Sequence, residues 1–258
     1  MIRIASCKLL IVTWLLLPRV AAGGGGDAAA IVKKATEQQA FRAAGIEMRL
    51  IMRLRNKRGE TRDRALYARS MRKDRLSRTL VRFLRPADVA GTSFLFLENR
   101  DREDDQHMYL PALKVVRRIV GSQKNASFMG SDLSYADLEW RALEQATYKM
   151  QPAEKVGADP CHVIDAIPRQ RESYSRLRAW IRQRDKVLLR LQFFDKRGKL
   201  LKTLFVKEVK RVGGMPMATK MKIANAQNGH VTFFAITETK LRDDLAEEQF
   251  TVRALKKR

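Results

Sequence analysis

The chain has 258 residues, 45% of them hydrophobic, and 52 Lys and Arg against 28 Asp and Glu give a net charge of +24. That apolar fraction excludes a disordered polyelectrolyte, and the length suffices for one sizeable core. A basic excess of this size points to nucleic acid or to an anionic surface, and the first residues decide between them.

Met1 to Ala22 has the three-part form of a secretory signal. Arg3 and Lys8 make a positive start, Leu9 to Leu17 form an uncharged apolar core, Pro18 breaks it, and Val20-Ala21-Ala22 supplies small residues for cleavage. Nine apolar residues fall short of the roughly 20 that span a bilayer, so the segment is expected to be removed near Ala22. Residues 23–258 then form the mature protein, expected as a single domain. Losing Arg3, Lys8 and Arg19 takes three from +24 and leaves +21. An exported basic protein meets anionic lipid headgroups or an acidic partner, not nucleic acid. The mature part keeps one cysteine, Cys161, so no internal disulfide forms and a buried apolar role is expected.

Gly23 to Gly26 reads as a flexible run. A helix is predicted from Asp27 as N-cap, with Ile31, Ala35, Gln38 and Arg42 on one stripe and Gly45 as its stop. From Ile46 the period becomes two. Met48, Leu50, Met52 and Leu54 take one face of a strand, and Arg49, Arg53 and Arg55 the other. After the turn Asn56-Lys57-Arg58-Gly59, residues 60–72, 76–85 and 93–98 read as strands, and 106–120 as one or two more. Residues 121–140 lose the alternation and read as loop and a short helix. Strands resume at 143–154 and 161–167. Five more follow at 174–181, 186–194, 199–212, 215–226 and 230–239, the last entered through the hairpin signal Asn228-Gly229. Residues 241–249 close as a short helix. About eleven strands in sequential hairpins make an antiparallel meander, which must curl or be covered on one face to bury its apolar side.

Catalytic signatures are missing: there is no G-x-S-x-G, no phosphate-binding glycine loop and no H-E-x-x-H. His107, His162 and His230 lie far apart, and the adjacent Cys161 and His162 point to opposite faces of a strand. The acidic run Asp101 to Asp105 is expected to be a solvated hairpin loop, and Asp132 and Asp137 are expected to cap turns. No enzyme activity, metal or cofactor is expected. The candidates for a binding face are apolar: Met48, Leu50, Met52, Leu54, Phe94, Phe96 and Trp180, with core packing as the alternative for each. Methionine repacks around varied apolar partners. Trp180 shares its face with Arg178, while Leu177, Ala179 and Ile181 take the other; Phe193 and Phe194 likewise oppose each other. Arg49, Arg53, Arg55, Arg62 and Arg64, with Arg69, are candidates for a basic surface that solubilises the fold or meets lipid phosphates or an acidic transporter.

Several segments carry a resemblance. Met108 to Ile119 (MYLPALKVVRRI) and Phe128 to Leu138 (FMGSDLSYADL) are the central ones. Arg82 to Asp88 with Gly91-Thr92, Phe194 to Leu200 and Glu248 to Leu255 accompany them. Over residues 30–256 the chain resembles outer-membrane lipoprotein-sorting proteins, a branch of the LolA-like superfamily. The resemblance implies an unclosed antiparallel half-barrel whose concave apolar face is partly covered by short helices. It implies a non-enzymatic periplasmic carrier or chaperone for lipid acyl chains or lipidated proteins. It also implies a link to inner-membrane exporters of the resistance-nodulation-division type, so the alternative is an accessory subunit whose cavity is only core.

Overall fold

The computed structural model describes residues 25–37, 45–139, 141–169 and 173–256. The expected signal peptide, its cleavage bond and the end of the predicted first helix lie outside them. The strands are β1 (Gly45–Arg55), β2 (Thr61–Lys73), β3 (Leu76–Arg85), β4 (Ser93–Leu97), β5 (Asp105–Leu110), β6 (Val115–Ile119), β7 (Ala146–Val156), β8 (Asp159–Pro168), β9 (Arg176–Arg182), β10 (Leu188–Phe194), β11 (Leu200–Val212), β12 (Met215–Asn225) and β13 (Val231–Leu241). They form one 13-stranded sheet in the order β6-β5-β4-β3-β2-β1-β13-β12-β11-β10-β9-β8-β7. Two meanders therefore meet where β1 pairs antiparallel with β13, from Ile46 opposite Leu241 to Arg55 opposite Val231. The edges β6 and β7 do not pair, so the sheet is an unclosed half-barrel. The strand segments read from the sequence are twelve with 106–120 taken as one; that segment divides at the Pro111–Lys114 turn, where Lys114 takes a φ of 53°, so the count is thirteen and not about eleven.

Alternation in β1 buries Ile46, Met48, Met52 and Leu54 and exposes Arg49, Arg53 and Arg55. Gly45 opens this strand. A Cβ there would lie 2.0 Å from the Arg242 carbonyl oxygen, a contact made necessary by the Arg242 N–H donating to the Gly45 carbonyl at 3.0 Å. The first helix, α1 (Gly25–Glu37), starts ahead of Asp27, which sits in its first turn. Its buried stripe is Ala28, Val32, Ala35 and Thr36, and it packs against β7 and β9.

Because β6 and β7 are opposite edges, the connection between them must span the concavity. It does so as 3-10 turns at Gly121–Asn125, Phe128–Gly130 and Ala136–Glu139, followed by the short helix α2 (Arg141–Glu144). Residues 121–139 of this connection act as a plug. Phe128 inserts between Phe83 and Phe94, at ring-centroid distances of 5.9 and 5.1 Å, and Tyr135 stands 5.7 Å from Phe128. Edge-to-face and tilted aromatic pairs at these distances add to simple burial.

The convex face is also partly apolar. The C-terminal segment, a 3-10 turn at Glu247–Phe250 and the helix α3 (Val252–Leu255), seats Phe250, Ala254 and Leu255 on Met71, Leu80 and Leu95. A second outward cluster joins Cys161, Val163, Trp180, Val187 and Leu189. No helix among the described residues is long and apolar enough to cross a membrane.

Candidate functional site: an apolar cavity under a polar clamp

A cavity of about 310 Å³ lies between the two arms of the sheet. Met48, Leu50, Ala68, Val81 and Phe96 line it from one arm, and Leu177, Leu191, Phe193, Leu204 and Met221 from the other. Its roof is Ala35 and Thr36 of α1, Leu133 and Leu138 of the plug, and Leu143 of α2. Period two is the cause: one parity of each strand points inward, and in these strands that parity is apolar.

The wall formed by β3, β4 and β5 is graded. Strand register aligns Val81, Phe94 and Met108 in one row and Thr79, Phe96 and Gln106 in the next. Beyond them Ser77, Glu98 and Asp104 also border the cavity, with the Ser77 N–H donating to Glu98 Oε2 at 2.8 Å. The cavity therefore runs from an apolar floor to a polar end.

Buried polar groups hold the plug over the sheet. Lys202 Nζ lies 2.5 Å from Asp137 Oδ2 and donates to the Asp132 carbonyl at 2.8 Å, and the pair's side chains are only 4% and 2% exposed. Tyr174 donates its hydroxyl to Asp137 Oδ1 at 2.7 Å. Burial, and next the charge of Asp137, push the Tyr174 pKa up, so the phenol stays a donor. Asp132 Oδ2 accepts from Thr232 Oγ1 at 2.6 Å and lies 2.7 Å from His230 Nδ1. At the other end of the plug Lys124 pairs with Glu139 at 2.9 Å. Asp137 also caps the Ser134 N–H, so turn capping is only part of what it does, while the Asp132 carboxylate bonds to Thr232 and His230; both aspartates tie the plug to the sheet.

The chain matches a family model described only as an uncharacterized protein over residues 75–257. A solved domain from Vibrio parahaemolyticus described as an outer membrane lipoprotein-sorting protein is 27% identical, with 91% of this chain and 100% of that chain covered and a TM-score of 0.84. A DUF1329 family protein from Desulfovibrio piger is 28% identical over 89% of this chain and 98% of that one, at a TM-score of 0.83. The chain belongs to the family of that model and is similar, over nearly its whole length, to these lipoprotein-sorting and DUF1329 proteins. A LolA superfamily protein from Nitrosomonas europaea, 17% identical, covers 88% of this chain and 98% of its own length at a TM-score of 0.70, which speaks for the fold. No curated protein matches the sequence.

In this LolA-like half-barrel the predicted apolar residues separate into three groups. Met48, Leu50 and Phe96 line the cavity. Met52, Leu54 and Phe94 share the inward face but are sealed under the plug. Met52 and Phe94 are 0% exposed, Phe94 is ringed by Phe83, Phe128 and Tyr135, and Leu54 sits beside Gly130. Trp180 faces outward, contrary to expectation. On β9 the inward set is Leu177, Ala179 and Ile181, while the Trp180 indole N–H donates to Glu154 at 2.8 Å and Arg190 stands 5.0 Å from its ring. Of the phenylalanine pair, Phe193 is inward and Phe194 carries Arg176 at 3.9 Å from its ring.

The basic candidates do not form one patch. Arg49, Arg53 and Arg55 point outward, each beside a partner: Glu238 at 3.3 Å, Asp63 at 2.6 Å and the Phe233 ring at 5.8 Å. Register pairs Arg62 with Leu54 and Arg64 with Met52, which puts both on the inward side. Arg64 is half-buried, donates to the Met129 carbonyl and lies 5.9 Å from the Phe83 ring. Arg69 is covered by the C-terminal segment, donating to the Gln249 carbonyl at 3.0 Å. The acidic run 101–105 is likewise not simply solvated. Asp105 is 8% exposed and pairs with Arg102 and Arg118, each at 2.5 Å. Cys161 is free, buried and part of the outward Trp180 cluster.

Proposed function

We propose that this LolA-like protein is a non-enzymatic periplasmic carrier that shields a lipid acyl chain, free or attached to a protein, in the cavity between its arms. The observation that supports this reading is an apolar cavity walled by both arms of an unclosed sheet and roofed by a plug. Its volume of about 310 Å³ falls at the small end of the roughly 300–1,000 Å³ typical of ligand sites, which suits one chain. Burying about 14 methylenes at about 0.8 kcal/mol each gains roughly 11 kcal/mol gross. Lost motional freedom cancels much of that, leaving reversible binding near micromolar. On this reading residues 23–258 act as one unit, and their positive charge brings the carrier to anionic membrane surfaces.

The test combines mass spectrometry of lipid extracted from gently purified protein with titration of a fluorescent acyl probe. Leu50→Glu places an unpaired charge in the cavity wall and should weaken probe binding at least tenfold. Arg53→Gln changes only the outward face and should leave it unchanged. If the protein yields no acyl lipid and binds no probe, the cavity is core only, and the role of an accessory subunit to an inner-membrane exporter takes the place of this reading.

A further inference from the structure

Among the described residues, four buried side-chain polar atoms lack a hydrogen-bond partner, and both oxygens of that set, Gln106 Oε1 and Ser77 Oγ, belong to residues bordering the apolar cavity. An empty acceptor sealed in an apolar wall is unfavourable, so it marks a place where a donor is missing.

Gln106 is 0% exposed, and its amide has only one workable orientation. Nε2 donates to the Tyr135 carbonyl at 3.0 Å and to Glu139 Oε1 at 2.6 Å. Turning the amide over would set its oxygen against a carbonyl, which cannot donate, and a carboxylate paired with Lys124. Oε1 is therefore fixed as the empty acceptor. Its place along the wall is also defined. The row of Val81, Phe94 and Met108 stands on its apolar side, Phe96 lies beside it in its own row, and the row of Ser77, Glu98 and Asp104 lies about 7 Å further along the strands. A chain lying against Val81 and Phe96 would thus bring its first polar group to Gln106.

We infer that the cargo carries a hydrogen-bond donor, a hydroxyl or an amide N–H, at the polar end of its apolar chain, and that Gln106 Oε1 accepts from it. This rests on the carrier reading above and narrows it. Hydroxylated acyl chains and N-acyl compounds meet the requirement, whereas a plain acyl ester brings only acceptors to that point. One hydrogen bond to an otherwise empty buried acceptor is worth roughly a tenfold preference.

The experiment is displacement of a fluorescent acyl probe from the full mature protein by four acids: tetradecanoic, 3-hydroxytetradecanoic, 3-methoxytetradecanoic and N-tetradecanoylglycine. The hydroxy acid or the acylglycine should bind about tenfold more tightly than the plain and methoxy acids, and which of the two does so identifies the donor. In Gln106→Leu the preference should shrink below twofold while the plain acid binds at least as well as before. Should that variant fail to fold, the comparison of methoxy with hydroxy acid on the unaltered protein still decides. Equal binding of all four overturns the inference and leaves the carrier reading standing. A preference that survives in folded Gln106→Leu overturns the assignment to Gln106. Failure of every acid and of the probe itself removes the carrier reading, and this inference with it.

Discussion

Replacing Lys202 by methionine tests whether the buried ion pair holds the plug down. Methionine keeps most of the stem volume and removes the ammonium. Asp137 then loses the partner at 2.5 Å and keeps two donors, the Ser134 N–H at 2.6 Å and the Tyr174 hydroxyl at 2.7 Å. The Asp132 carbonyl loses its donor at 2.8 Å. Breaking one side of a buried pair costs about 3–5 kcal/mol. The two surviving donors draw the value toward the lower end, and the orphaned carbonyl adds about 1 kcal/mol. A loss of about 3–4 kcal/mol lowers Tm by roughly 6–16 °C for a chain of this size. Adding Asp137→Asn to Lys202→Met removes the uncompensated charge; the amide oxygen keeps the Ser134 N–H, and the amide NH2 takes the other position and donates to the Tyr174 oxygen. The double variant should therefore regain about 1–3 kcal/mol relative to the single one. Thermal and urea unfolding measure the totals. Amide exchange locates the loss, because the Phe128, Ser131 and Tyr135 N–H groups are bonded within the plug and should exchange faster while the β1–β13 ladder is unchanged. A Tm within about 2 °C of the parent, or a double variant no more stable than Lys202→Met, would refute the reasoning.

Two further outcomes follow from the placement of other side chains. Trp180→Ala, at a residue only 4% exposed in the outward cluster, should cost about 3–5 kcal/mol of stability yet leave acyl-probe affinity within twofold; a marked loss of affinity in the folded variant would put Trp180 back in the cavity. Asp105 is held well below the usual carboxylate range by Arg102 first, then by Asn99 and Arg118, against the opposing effect of burial. A depressed folded pKa contributes stability that is present above the unfolded value of about 4 and is lost as pH falls below it. Tm should accordingly be level from pH 5 to 7 and drop below pH 4, and Asp105→Asn should flatten that drop.

The strands were legible because their signals are local. Period two needs no partner to be read, and turns at Gly59, Gly198, Gly213-Gly214 and Asn228-Gly229 announce themselves by residue type, all five glycines having positive φ. The turn at Pro111–Lys114 is announced only in part: the proline marks it and no glycine does, a lysine takes the left-handed conformation, and 106–120 therefore reads as one or two strands. Asp27 stands in the first turn of α1 and not at its N-cap; Gly25 and Gly26 have poor helix propensity, and packing of Ala28, Val32 and Ala35 into the main core overrides it.

Inwardness was harder, because alternation groups residues by face without saying which face is concave. Had the convex side been wholly polar, composition would have told the two apart. Here the C-terminal segment covers Leu80 and Leu95 from outside, and Trp180 gathers its own outward cluster, so both parities carry apolar residues. Only the strand order and the path of the plug settle the sign for β9. One inward signal in the sequence goes unread by periodicity. Lys202 lies in phase with Leu204 and Val206, and a lysine in a buried stripe requires an acid near it. That acid, Asp137, sits 65 residues earlier in the chain, in a segment whose own sequence reads as turns. The two halves of the clamp are each visible in the sequence, and their pairing is created by the crossing of the plug over the sheet.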